Sequence, residues 1–229
     1  MGLKLHNISK VLIIIYFGNL LLYSFSSIFS FDYFEKIFWF IRIPILVVLY
    51  YTTSMKKQTL YFLALILYQL ASILFATSNP AFFTWASISS LCFKVCLCFL
   101  VVDLVTKKIK IAVAVAMIPF FVLFLYVIDF VVLSLGDTYI IWILNTLLTS
   151  FIVGIAVIYY INNSDKKGYW LLISAILFVI QIAAFFVNKF YVKNEAIYQI
   201  VILSYGVSHF TFYKFLVIKE YERIPYHNN

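Results

Sequence analysis

Eight long apolar stretches, separated by short polar gaps, take up almost the whole chain. Each stretch has the roughly 17–25 residues that a helix needs to cross a hydrocarbon layer about 30 Å thick. The pattern therefore predicts eight transmembrane helices, over residues 11–29, 37–53, 59–77, 81–105, 111–135, 139–161, 169–190 and 197–218. Because the gaps are too short for an extramembrane domain, we expect residues 1–229 to form one all-α membrane domain, a bundle of eight transmembrane helices.

Basic residues are concentrated in every second gap between these stretches. On one side of the predicted membrane the gaps carry Lys4, Lys10, Lys56, Lys57, Lys107, Lys108, Lys110, Lys166, Lys167, Lys219 and Arg223. On the other side the gaps and helix ends carry only Lys36, Arg42, Lys189 and Lys193. Short loops rich in Lys and Arg remain in the cytoplasm, so the alternation predicts that both termini are cytoplasmic.

The composition agrees with a membrane protein and excludes two other classes. Apolar residues make up 65% of the chain and charged residues 11%, which is too little charge for a water-soluble globule. The net charge of +8 comes from the basic gaps, and its lysines are dispersed rather than clustered as in a nucleic-acid-binding protein. We expect a multi-pass protein of a bacterial inner (plasma) membrane whose partners are membrane lipids, with no nucleic acid.

Several polar residues lie near the middle of the predicted spans, where a polar group is costly and therefore a candidate for function. They are Asn19, Gln69, Lys94, Gln181 and His209, with Ser72, Ser204 and Ser208 nearby. One interpretation is a polar cavity between the third, fourth, seventh and eighth spans. The alternative is that the amides hold neighbouring helices together through hydrogen bonds, each worth about 0.6–2 kcal/mol.

Charged and titratable residues of the spans lead to specific expectations. Lys94 lies halfway through 81–105, so it either snorkels along a tilted helix or faces the bundle and its hydrogen-bond acceptors; we expect the second. His209 is the only titratable group of the central band that normally gains or loses a proton near neutral pH. A histidine that is simply buried in the core, without a catalytic role, would look the same in the sequence. Arg42 and Asp129 both lie near the outer face, which allows an ion pair between the second and fifth spans.

Residues for common catalytic and metal sites are absent from the middle of the spans. All nine acidic residues lie in loops, tails or end turns, which argues against a carboxylate dyad, a carboxylate metal site or a proton relay. The sequence has no G-x-S-x-G, no H-E-x-x-H and no Gly-rich phosphate loop. Cys92, Cys96 and Cys98 have no nearby His or acid, and we interpret them as buried apolar residues. We expect no metal and no cofactor.

Parts of the chain resemble the YhhN family, eight-span membrane proteins that include lysoplasmalogenases. The segments similar to the last two helices of the family are 174–181, 188–190 and 198–210. In the first half, residues 42–44 (Arg-Ile-Pro) resemble the T-K-P that opens the family's second helix, and 60–75 takes the place of its S-x-x-G-D helix. The resemblance covers most of the chain in size, span number and order.

The resemblance implies a protein that hydrolyses the vinyl ether bond of lysoplasmalogen, a lysophospholipid. This reaction needs an acid to protonate the β-carbon and an anion near the resulting oxocarbenium ion, and two intramembrane acids are thought to serve it in the family. The first acid falls at Ser72 or Gln69 and the second at Ile182 or Gln181, so this chain has neither. We therefore expect a lipid-accessible polar cavity with weak or absent hydrolase activity.

The predicted site combines one catalytic candidate with five binding residues. His209 is the remaining candidate acid. The residues expected to bind the substrate, a lysophospholipid in this interpretation, are Lys94, Gln181, Gln69, Ser72 and Ser208. Two alternatives stay open: an active lysophospholipid or lysoplasmalogen hydrolase with His209 as its acid, and a small transporter or membrane scaffold. Whether the chain is an enzyme is open at this point.

Overall fold

The computed structural model describes residues 2–29, 31–77 and 79–222, and this part of the chain is helical almost throughout, with no β-strand. Arg223, one of the basic residues counted above, lies outside the described residues. The helices are α1 (Gly2–Ile28), α2 (Asp32–Thr53), α3 (Thr59–Phe75), α4 (Pro80–Val101), α5 (Lys110–Asp129), the short α6 (Val132–Leu135), α7 (Tyr139–Asn163), α8 (Lys166–Phe186) and α9 (Glu195–Glu222). The all-α prediction is confirmed for these residues.

Short turns of other helical types account for the differences from the predicted spans. α4 passes at Val102–Leu104 into a 3₁₀ turn, so its regular helix stops earlier than expected. The fifth predicted span is broken after Asp129, and Gly136, which follows α6, has a φ of 48°. Glycine adopts this left-handed conformation without a side-chain clash. α8 continues at Val187–Tyr191 into a π-helical turn, which carries the chain toward α9.

Six helical segments within the described ranges are long and apolar enough to cross a membrane. They are Asn7–Ile28, Ala81–Leu104, Lys110–Asp129, Val132–Asn163, Lys166–Tyr191 and Glu195–Glu222. α3 is also apolar but shorter. Helices of this length and composition match the thickness of a bilayer, so the chain is a multi-pass integral membrane protein built as an apolar helical bundle.

The helices pack mainly in pairs. α1 lies along α2, α3 along α4, α5 along α7 and α8 along α9; α7 also contacts α4 and α8, and α9 also contacts α1 and α2. In α9, 67% of the most apolar stretch is buried, compared with 17% in α5. α9 therefore lies at the centre of the bundle and α5 at its edge.

Two glycines allow close approach of neighbouring helices. A Cβ atom on Gly154 of α7 would lie 2.8 Å from the carbonyl oxygen of Val113 on α5. A Cβ atom on Gly206 of α9 would lie 2.6 Å from Leu20 of α1, and the hydroxyl of Tyr16 donates a 2.7 Å hydrogen bond to the Gly206 carbonyl. Small residues at such contacts are typical of membrane bundles, where close packing replaces the hydrophobic effect between helices.

A cluster of buried polar groups closes the end of the bundle at which α9 ends. Glu220 accepts hydrogen bonds from the hydroxyls of Tyr50 (2.6 Å) and Ser54 (2.7 Å) at the end of α2. Next to it, the Lys219 ammonium pairs with Asp103 at 2.6 Å, in the turn that follows α4. These contacts hold together the ends of α2 and α9 and the turn that follows α4. A cavity lies toward the opposite end of the bundle.

Candidate functional site

A cavity of about 220 Å³ lies between α2, α3, α4, α8 and α9, with one lining residue each from α1 and α7. It extends from Lys94, in the middle of α4, toward the end of the bundle at which α3 ends and α9 begins. The four helices between which the sequence analysis expected a cavity all contribute, and α2 adds a fifth wall.

Aromatic side chains supply about half of the residues that line the cavity. They are Tyr23, Trp39, Tyr68, Phe75, Phe93, Trp142, Phe185, Tyr198 and Tyr205. Several contact one another: Tyr68 lies 4.7 Å from Tyr205, and Phe75 lies 5.3 Å from Phe185, between ring centres. Rings with few rotatable bonds that also brace each other give the cavity a defined shape.

Arg42 of α2 is the most unusual residue of the cavity. Its side chain is 2% exposed, and its guanidinium carbon lies 3.5 Å from the ring centre of Tyr205 and 5.0 Å from that of Tyr23. Its Nε and Nη1 atoms have no hydrogen-bond partner among the described residues, and none of the ion pairs found there includes it. The expected pair with Asp129 is wrong, because α2 packs on α1, α3 and α9 whereas α5 packs on α7 and α8.

Lys94 of α4 is the second cation that lines the cavity. The side chain is 3% exposed, so it faces the bundle, as expected, rather than lipid. Its ammonium lies 3.8 Å from the ring centre of Phe178 on α8 and 5.2 Å from that of Phe93. Aromatic faces thus surround Lys94, in place of the neutral hydrogen-bond acceptors that we expected there. Such faces attract a cation through their quadrupole.

Further polar side chains reach the cavity, among them those of Gln181, Ser72 and Trp142. The amide nitrogen of Gln181 donates to the Tyr68 hydroxyl at 3.2 Å, and its oxygen has no partner. The Ser72 hydroxyl accepts a 2.9 Å hydrogen bond from the Trp39 indole, which fixes the orientation of that ring. The indole nitrogen of Trp142 is buried without a partner in the described part of the chain. Gln181 therefore both joins two helices and lines the cavity.

The other three predicted site residues do not line the cavity. His209 is 1% exposed and lies behind the wall, with the ring centres of Tyr68 and Tyr205 at 4.3 and 4.9 Å from its own. Ser208 is fully buried, and its hydroxyl donates to the backbone carbonyl of Tyr205. Gln69 donates a 3.4 Å hydrogen bond to the backbone of Phe40 and so joins α3 to α2.

A groove continues from the cavity toward the helix ends. It shares Phe185, Tyr198 and Val201 with the cavity and also contains Lys189, Lys193 and Glu195. Glu35 does not line the cavity but accepts a 3.1 Å hydrogen bond from the hydroxyl of Tyr198, which does. The groove gives a polar route between the cavity and the surface at which α9 begins.

The chemistry of the cavity favours binding of an anion over acid–base catalysis. Among the described residues, its lining contains Arg42 and Lys94 but no Asp, Glu, His or Cys. Within the described ranges, no cluster of three or more His, Cys, Asp or Glu residues is arranged to hold a metal ion. The Lys94 ammonium and the tyrosine hydroxyls can donate protons, but no carboxylate lines the described wall to accept a proton or to stabilise a developing cation.

Comparison of the chain with protein-family models, with curated proteins and with solved structures gave no match.

Sequence reasoning missed Arg42 as a cavity residue, although the sequence contains a signal for it. It is the only arginine inside a predicted span, five residues after the span begins at residue 37. A charged side chain at that depth usually faces the interior of a bundle. The aromatic wall gave no comparable signal, because 21% of the chain is aromatic and most rings face lipid or the core.

Proposed function

We propose that this chain is a lipid-binding membrane protein whose cavity takes the headgroup of a single-chain amphiphile such as a lysophospholipid. The observation that carries the proposal is a partly open cavity with cationic groups at its walls, inside an otherwise apolar bundle. Its volume of about 220 Å³ suits a small headgroup, since pockets for whole drug-sized ligands are larger. The hydrocarbon chain then leaves through the groove or between the helices.

The proposal includes a divergent YhhN-like fold with eight spans and cytoplasmic termini. The positions at which the resemblance places the two family acids support it: Ser72, Gln181 and Ile182 line the cavity, although Gln69, the other position for the first acid, does not. Residues far apart in sequence thus meet at one site, as a shared active-site location requires. In this chain the site has lost its acids and gained a wall of neutral and cationic groups.

Vinyl ether hydrolysis is weak or absent in this proposal. No carboxylate lines the cavity in the described residues to stabilise an oxocarbenium ion. His209 is separated from the cavity by the rings of Tyr68 and Tyr205. Purified protein incubated with lysoplasmalogen should release little or no fatty aldehyde. Robust release that His209→Ala abolishes would contradict this and support the hydrolase with a histidine acid.

Binding is tested by filling the cavity with a larger side chain. Ala71 of α3 is buried and lines the cavity, so Ala71→Phe should occupy part of its volume and weaken binding of a single-chain lipid. Ala114→Phe on the exposed face of α5 makes the same substitution away from the cavity and is the matched control. Lipid retained by purified protein in detergent is measured by native mass spectrometry, with circular dichroism as the folding check.

The result expected is lipid retained by wild type and by Ala114→Phe but not by Ala71→Phe. Equal retention by all three folded proteins would place the lipid outside the cavity and overturn the proposal.

A further inference from the structure

We infer that the cavity selects amphiphiles whose headgroup is net negative, a carboxylate or a phosphate monoester, over zwitterionic headgroups. This inference rests on the proposed lipid-binding function and specifies the chemical class of the ligand. It follows from the charges and hydrogen-bonding groups of three residues that line the cavity: Arg42, Lys94 and Trp142.

Among the described side chains, no acidic group forms an ion pair with the guanidinium of Arg42. An arginine side chain keeps its proton in proteins, and a buried charge is stable only when it is paired and hydrogen-bonded. The rings of Tyr205 and Tyr23 supply part of this stabilisation through their faces. They leave Nε and Nη1 without acceptors. The oxygens of an anion would accept these N–H groups in charge-assisted hydrogen bonds.

Lys94 and Trp142 add further donors to the same small space. The ammonium of Lys94 carries three donor hydrogens, and its nearest described partners are the ring faces of Phe178 and Phe93. The indole N–H of Trp142 is buried without an acceptor. Donors from α2, α4 and α7 therefore surround one cavity of about 220 Å³, which is the arrangement expected for a group made of acceptor oxygens.

A zwitterionic headgroup fits this arrangement poorly. Its ammonium would share the cavity with two cations, and no Asp or Glu lines the described wall to pair with it. Ring faces bind quaternary ammonium groups in other proteins, but here Arg42 already lies over those of Tyr205 and Tyr23 and Lys94 over that of Phe93, so an ammonium at the remaining rings would lie near a like charge. Like charges in a space of this size repel strongly because little water screens them.

The test compares three lipids with the same acyl chain on purified wild-type protein in detergent: a fatty acid, lysophosphatidic acid and lysophosphatidylcholine. Affinities are measured by displacement of a fluorescent fatty acid. We expect at least one of the two anionic lipids to bind about tenfold or more tightly than the zwitterionic lipid. The fatty acid and lysophosphatidic acid arms distinguish a carboxylate from a phosphate ligand.

Variants connect the selectivity to the two cations. Arg42→Gln should lower the affinity for the anionic lipids roughly ten- to a hundredfold, the effect of removing a charge-assisted hydrogen bond from a buried site. The affinity for lysophosphatidylcholine should change much less. Arg42→Lys keeps the charge and should restore part of the affinity. Lys94→Met should act in the same direction as Arg42→Gln, whereas Lys214→Met, a half-buried lysine of α9 outside the cavity lining, should have little effect.

The wild-type comparison keeps the inference falsifiable even if a variant fails to fold. Equal binding of the three lipids, or tighter binding of lysophosphatidylcholine, would overturn the selectivity and leave the lipid-binding function intact. Failure of all three lipids to bind would overturn the lipid-binding function as well.

Discussion

Lys94 illustrates the conflict between stability and ligand binding at a single buried residue. Its ammonium is buried in the middle of the bundle against aromatic rings and has no counter-charge in the described chain. Lys94→Met keeps an unbranched side chain, one atom shorter, and removes the charge. We expect it to stabilise the ligand-free protein by about 1 kcal/mol or more, because the buried charge no longer has to be desolvated. Lys214→Met, nearer the helix end, should change stability little.

The measurement is unfolding of the ligand-free proteins in detergent, followed by tryptophan fluorescence. Together with weakened lipid binding, a stabilised Lys94→Met would identify a residue kept for function at a cost in stability. A destabilised variant would instead indicate that the lysine is needed for packing against Phe178.

The sequence predicted how deep Lys94 and His209 lie along their helices, but not which side chains surround them. The inward orientation of Lys94 followed from the cost of charge in lipid. The isolation of His209 did not, because it depends on Tyr205, one turn earlier on the same helix, and on Tyr68 of α3. Whether a central residue reaches a cavity is decided by side chains of other helices, which a single sequence does not place.

At the scale of helices, the close contact between α5 and α7 depends on a glycine, Gly154 of α7, which has no side chain. A Cβ atom on Gly154 would lie 2.8 Å from the Val113 carbonyl oxygen and 3.2 Å from Met117. Backbone cannot move aside easily, so Gly154→Ala should separate the helices and lower stability by about 1–3 kcal/mol, as in other overpacked sites. Gly18→Ala on α1 meets nothing within 4 Å and should be neutral or slightly stabilising.

The two glycine variants form a matched pair for the same unfolding assay. Equal stability of Gly154→Ala and Gly18→Ala would contradict the close approach of α5 and α7.

The sequence predicted the existence of the long helices better than their ends. Apolar stretches of membrane length require backbone hydrogen bonds within the segment, which makes helix the only option there. The ends differ where local turns take over, as at Val102–Leu104 and Gly136–Thr138. Each turn contains a single Asp, and hydropathy averaged over a whole span does not locate the residue at which the regular helix ends.

At the scale of the whole molecule, the distribution of basic residues predicts the orientation in the membrane. Reporter fusions after Lys57, Lys110 and Lys167 should indicate the cytoplasm, because short basic loops are retained there. Fusions near Asp137 and Asn194 should indicate the opposite side, which is also the side at which α9 begins. A non-cytoplasmic signal after Lys110 would contradict both the eight-span arrangement and the proposed side of entry to the cavity.

The central claim is that the cavity between α2, α3, α4, α8 and α9 holds an anionic amphiphile. Photolabelling tests it most directly, with a long-chain fatty acid that carries a photoreactive group next to its carboxylate. We predict cross-links to cavity residues in 68–75 of α3 and 198–205 of α9, lost when unlabelled fatty acid is added in excess. Labelling spread over lipid-facing residues such as those of α5, and unaffected by competitor, would contradict the claim.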